Sequence, residues 1–119
     1  MNTDFILFNS RDELLRINPA KIVYFEADGN YTNIILTNKT KATVCMNLSQ
    51  MQEVLTQRLK ERASLYARVG KSYIINLNYV YAIQSLKQRL VLSDQSTFAV
   101  QITISKESLK RLKELFLKQ

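Results

Sequence analysis

The chain has no histidine, no tryptophan, one cysteine, one proline and two glycines among its 119 residues. Each shortage removes a class of explanation. Without histidine there is no Ser-His-Asp or Cys-His relay, and a single cysteine allows no zinc finger and no disulfide framework within the chain. Two glycines, Gly29 and Gly70, cannot build a glycine-rich phosphate loop. So little glycine and proline also excludes linker-like and collagen-like sequence. No apolar run approaches the roughly 18 residues that span a bilayer. The segment from Met1 to Ser10 carries Asp4 and no basic stretch ahead of an apolar core, which is not the pattern of a secretory signal. Cys45 falls in an alternating segment and reads as a small buried hydrophobe rather than a reactive thiol. The expectation is a reducing, cytoplasmic protein with no metal, no cofactor, no membrane association and no small-molecule substrate.

What is present is the balance of a folded domain: 46% hydrophobic and 23% charged residues. The length suits one domain over residues 1–119, burying about two-thirds of its unfolded surface. The charge is uneven. Lysine and arginine number 17 against 10 acidic residues, a formal net charge of +7. Residues 1–57 carry a net charge of −1, and residues 58–119 carry +8. A concentrated positive field favours a polyanion such as nucleic acid.

Apolar spacing sets out the elements. Lys21 to Ala27 is rich in β-branched and aromatic residues and runs into Asp28-Gly29, a hairpin turn signal. Asn30 to Thr37 reads as the returning strand. Asn38-Lys39 turns again into Thr40 to Met46, where Ala42, Val44 and Met46 alternate with Lys41, Thr43 and Cys45. Short strands are also expected near Glu13 to Ile17 and Phe5 to Phe8. At Asn47 the period changes. Asn47 and Gln50 have the spacing of a capping box, and Leu48, Met51, Leu55 and Leu59 follow at helical spacing, ending in the basic stretch around Arg58 to Arg62. Leu65 to Asn78 is not cleanly periodic. Tyr79 to Ile83 reads as a strand, and Leu90 to Leu92 and Phe98 to Ile104 flank a polar hairpin loop at Ser93 to Ser96. Ser105 caps a last helix with Leu109, Leu112 and Phe116 on one face. The fold class is therefore mainly β: antiparallel strands in small stacked sheets, one central helix and one C-terminal helix. Over 40 residues separate the helices, which excludes a helix-turn-helix.

Catalytic chemistry has little to stand on. Glu26 and Asp28 form an i, i+2 carboxylate pair, but they read as a strand end and a turn rather than an acid and a base, so the chain is not expected to be an enzyme. Arg68-Val69-Gly70-Lys71-Ser72-Tyr73 is denser. Two cations, a hydroxyl and a phenol lie around a glycine that permits close backbone approach, a set able to hold phosphates or read guanine edges.

Three stretches occur in order: Tyr24-Phe25-Glu26-Ala27-Asp28-Gly29-Asn30-Tyr31-Thr32, Arg68-Val69-Gly70-Lys71-Ser72-Tyr73-Ile74-Ile75-Asn76, and Ile104-Ser105-Lys106. Together they resemble the signatures of the LytTR-type DNA-binding domain of bacterial response regulators, from about Arg16 to Leu117. The resemblance implies stacked antiparallel sheets and double-stranded DNA as the partner. It implies a sequence-specific transcriptional regulator whose inter-strand loops enter successive major grooves, with a second copy on tandem half-sites. Carried over by position, it implies DNA contacts from Asn30, Tyr31, Thr32 and Asn33, from Arg68, Lys71 and Ser72, and from Lys106. Tyr73, Ile74 and Ile75 are expected in the core, and Asn76 in a turn. Two positions depart from the family pattern: Gly70 replaces a histidine, and Lys106 replaces an arginine and so lacks its bidentate fork. Family members usually carry a receiver domain, for which the residues before the match leave no room, so either a stand-alone regulator, which the start at Met1 favours, or an excised domain of a longer one is expected. The alternative is a non-enzymatic basic module for protein interaction or a membrane surface, with degenerate DNA loops and an interface on Leu109, Leu112, Leu115 and Phe116 of the last helix.

Overall fold

Apolar side chains on both sides of one sheet organise this molecule. The computed structural model describes residues 5–118, with strands β1 (Ile6–Asn9), β2 (Leu14–Ile17), β3 (Ile22–Asp28), β4 (Tyr31–Leu36) and β5 (Lys41–Val44), then helix α1 (Leu48–Leu59). Strands β6 (Tyr66–Val69), β7 (Tyr73–Asn76), β8 (Val80–Gln84), β9 (Arg89–Ser93) and β10 (Ala99–Thr103) follow, and helix α2 (Lys106–Leu117) closes the chain. Strand pairing is antiparallel throughout, in a central five-stranded sheet ordered β5-β4-β3-β7-β6, a three-stranded sheet β10-β9-β8 and a β1-β2 hairpin. This is the mainly β architecture that the alternation and hairpin signals lead to.

The central sheet is covered on each face. Phe25, Ile34 and Ile74 point into one core with Leu48, Met51, Leu55 and Leu59 of α1 and with Ile6, Phe8 and Ile17 of the hairpin. Val23, Val69 and Ile75 point into the other, against Leu90, Leu92 and Ile102 of the small sheet and Leu109 and Leu112 of α2. A register shift between Ile22 and Tyr24 lets Val23 and Tyr24 both serve the second core while Ile22 and Phe25 serve the first. Each such side chain taken fully out of water contributes about 1.5–3 kcal/mol.

Local chemistry fixes the joints. Asn47 and Gln50 make the reciprocal capping box: Asn47 Oδ1 accepts from the Gln50 N–H at 2.8 Å, and Gln50 Oε1 accepts from the Asn47 N–H at 2.9 Å. Ser105 caps α2 through its Oγ, which accepts from the Ser108 N–H. Asn76 is buried, donates to the Ile22 carbonyl at 2.8 Å and accepts from the Asn78 N–H at 3.0 Å. That is the turn-holding role its type suggests.

Several expectations need adjusting. The unperiodic Leu65–Asn78 stretch is a hairpin, β6 and β7. Helix α1 stops at Leu59, where Lys60 adopts a positive φ of 56° and the chain continues as a 3-10 turn to Leu65. Cys45 is exposed rather than buried. Cys45 follows the last residue of β5, in the bend that leads to α1, where no strand alternation sets its side chain inward. On α2, Leu109 and Leu112 are buried, but Leu115 and Phe116 are exposed. Among the described residues no helix is long and apolar enough to cross a membrane.

Candidate nucleic-acid interface

With both broad faces packed, the exposed polar residues of the central sheet collect where its hairpins turn. Asp28 pairs with Tyr31, so Gly29 and Asn30 are the two central residues of the β3–β4 turn, and Gly29 takes the positive φ (61°) that such a turn demands. Val69 pairs with Tyr73, leaving Gly70-Lys71-Ser72 as the β6–β7 turn, with Gly70 at φ 65°. Because β3 runs antiparallel to β7, with Glu26 opposite Tyr73, these two turns lie side by side at one end of the sheet. The Ala27 N–H donates to the Ser72 carbonyl at 2.8 Å and joins them.

The third segment reaches the same end. An open groove of about 700 Å³ is lined on one side by Arg68 to Tyr73 and on the other by Thr103, Ile104, Ser105, Glu107, Ser108 and Arg111. A methyl group added to Gly70 would stand 3.5 Å from Ser108 Oγ, so the hairpin tip and the start of α2 approach closely. Lys106 is the exposed first residue of α2, between two groove-lining neighbours. The amide donors of this first turn add a partial positive charge to the groove.

The eight residues singled out from sequence are thus brought to one end, but not all face outward. Asn30, Tyr31, Lys71, Ser72 and Lys106 are exposed. Thr32 and Asn33 are buried in β4, a placement contrary to a role for their side chains as surface contacts. Thr32 Oγ1 donates to the Met46 carbonyl at 2.8 Å. Asn33 Oδ1 accepts from the Thr43 hydroxyl at 2.7 Å, and its amide nitrogen donates to Asp28 Oδ2 at 3.4 Å. The physical reason is that Thr32 and Asn33 are paired on both sides, with β3 and with Val44 and Thr43 of β5, whereas Tyr31 lies before the pairing with β5 begins. Arg68 is exposed yet engaged: Nη1 donates to Gln52 Oε1 of α1 at 3.0 Å, and Nη2 to the Lys71 carbonyl at 3.2 Å. Its fork therefore ties the turn to the helix.

Beneath the turns, the Tyr24 and Tyr73 rings meet edge-on at 6.0 Å. Burial, then the Glu26 carboxylate, pushes both phenols above their ordinary range, so both are neutral donors at physiological pH. Arg111 was not legible as a site residue. It faces the groove from α2, where its Nη2 donates to Ser108 Oγ at 3.4 Å. The available signal was Ser108, a small polar residue in a helix of long side chains, which marks a close approach. Among the described residues no group of acidic residues and cysteine is arranged to hold a metal ion.

Comparison with known proteins agrees with this geometry. A family model described as the LytTr DNA-binding domain matches residues 12–117. Two curated relatives from Paraburkholderia xenovorans are the heme-containing CO-sensing transcriptional regulators RcoM 1 and RcoM 2. They are 26% and 27% identical over 105 residues, 88% of this chain. The chain spans 37% of the length of each. Among solved structures, the LytTr DNA-binding domain of a Bacillus cereus protein described as a methyl-accepting/DNA response regulator superposes with a TM-score of 0.65 at 18% identity. The match covers 97% of this chain and 98% of that one.

Proposed function

The chain belongs to the family of LytTr DNA-binding domains, and from that membership we propose that it binds double-stranded DNA sequence-specifically, as the DNA-reading part of a transcriptional regulator. Asn30 and Tyr31 at one tip and Lys71 and Ser72 at the other enter the major groove, which is about 12 Å wide and admits such two-stranded projections. Lys106 and Arg111 meet phosphates beside them. Arg68 stands behind the second tip. Two copies on tandem half-sites would double the surface read. The observation that carries this reading is the Ala27–Ser72 backbone bond, which supports it by setting both turns at one end of the sheet.

The test is a gel shift against a pool of random duplexes, with sequencing of the retained fraction and a salt titration. An enriched motif is the expected result. If about five to seven phosphates are neutralised, log K falls with log salt at a slope of roughly −5 to −6. Retention without a motif would reduce the protein to a non-specific cation, and salt-independent affinity would remove the phosphate contacts altogether.

A further inference from the structure

Away from the groove, a separate cavity of about 390 Å³ opens between the β1–β2 hairpin, the end of β5 and the outer half of α1. Its apolar wall is Phe8 and Leu15 from the hairpin, Val44 and Met46 from the β5–α1 link, and Val54 from α1, with Asn9, Ser10, Thr43 and Gln57 as polar neighbours in the lining. Phe8 and Val44 belong to the first core, and Leu15, Met46 and Val54 pack half-buried against it. Glu13 and Arg58 put one charge of each sign in the lining, and the exposed Cys45 thiol is there too. An apolar wall edged by polar and charged groups, with a volume within the roughly 300–1,000 Å³ of small-molecule sites, has the attributes of a ligand pocket.

One more wall residue gives the cavity a consequence. Tyr31, the first residue of β4, lines it while remaining 49% exposed, and it adjoins Asn30 at the turn tip. The strand after it is bolted to the same cavity, since Thr32 Oγ1 donates to the carbonyl of the wall residue Met46. A molecule packed against Tyr31 and Met46 therefore acts on the β3–β4 turn through one side chain and one hydrogen bond. A ligand shifts an equilibrium only by its differential affinity for two states. Tyr31 is the shared element, a wall of the cavity and a neighbour of the turn tip, so a molecule that holds it and DNA that needs it oppose each other equally through linkage.

We propose that this cavity is a binding site for a small, mainly apolar molecule, and that the molecule competes with DNA for Tyr31. The second half rests on the DNA-binding reading above; the first does not. The probe is N-phenyl-1-naphthylamine, an uncharged diarylamine whose fluorescence rises on leaving water. Saturable one-to-one binding is expected, with amide shift changes in heteronuclear NMR centred on Leu15, Val44, Met46 and Val54. Val54→Gln, which makes a wall polar, and Cys45→Phe, which fills the space from an exposed position, should each weaken binding at least tenfold. Unchanged binding in both folded variants, or shifts centred on the exposed Leu115–Leu117 instead, would overturn the site. Saturating probe should then lower retention of DNA by the parent protein several-fold. Undiminished retention removes the coupling and leaves the site, whereas a parent that retains no DNA without probe refutes the DNA reading itself.

Discussion

The guanidinium of Arg68 has two partners inside the protein, Gln52 and the Lys71 carbonyl, whereas the Lys71 ammonium projects from the tip. Salt dependence separates these roles. Lys71→Ala removes a cation that reaches the groove, so it should weaken DNA binding, reduce the slope of log K against log salt, and relax the preference at one base of the enriched motif. Arg68→Lys keeps the charge and loses the fork, so affinity should fall several-fold while the slope stays unchanged. A slope that moves with Arg68→Lys and not with Lys71→Ala would reverse the assignment. Thr32 gives a second prediction at this scale. Its side chain is fully buried and satisfies the Met46 carbonyl. Thr32→Val leaves that acceptor unpaired at nearly constant volume, so urea denaturation should show a loss of about 1–3 kcal/mol. A neutral result would mean that the carbonyl finds another donor.

Helix α1 depends on its first turn. Replacing Asn47 by Ala removes one half of the capping box and should cost about 1 kcal/mol, read from thermal or urea unfolding. The cap was legible because Asn47 and Gln50 are local partners, three residues apart. The β3–β4 turn was legible because Asp28-Gly29 is a local signal, although the pairing centres the turn on Gly29-Asn30. Strands β6 and β7 were not legible as strands. Ile74 and Ile75 are both fully buried, one in each core, so the alternation that marks a half-exposed strand is missing. The same lack of local information hid the fate of Thr32 and Asn33, since it is β5, arriving ten residues later, that covers them. Arg111 was hidden because its groove is formed with a hairpin about 40 residues away. Contacts set by chain neighbours could be read in advance, and contacts set by tertiary neighbours could not.

At the scale of the whole molecule, distant segments are held together by buried phenols. The Tyr66 hydroxyl donates to the Pro19 carbonyl at 2.6 Å, across 47 residues of sequence. Burial, then the neighbouring Tyr79, pushes its ionisation up to about 12, with Arg62 opposing in part. The folded state therefore keeps its proton where the unfolded chain, with an ordinary phenol near 10, has lost it. Its contribution to stability is complete below pH 10 and disappears as pH rises from 10 to about 12. Tyr24, Tyr73 and Tyr79 shift in the same direction and add to the loss. Chemical denaturation should show stability falling steeply above pH 10, and Tyr66→Phe should flatten that fall; an equal fall in the variant would assign the effect to the other tyrosines. The doubly covered central sheet has a consequence of its own. Its interior answers to packing and a few buried hydrogen bonds, while the handful of side chains at its turn tips answers to the outside world. On the DNA-binding reading proposed above, exchanging those tips should alter what is recognised and leave the folding problem as it was. Such a body can acquire a new target one surface letter at a time.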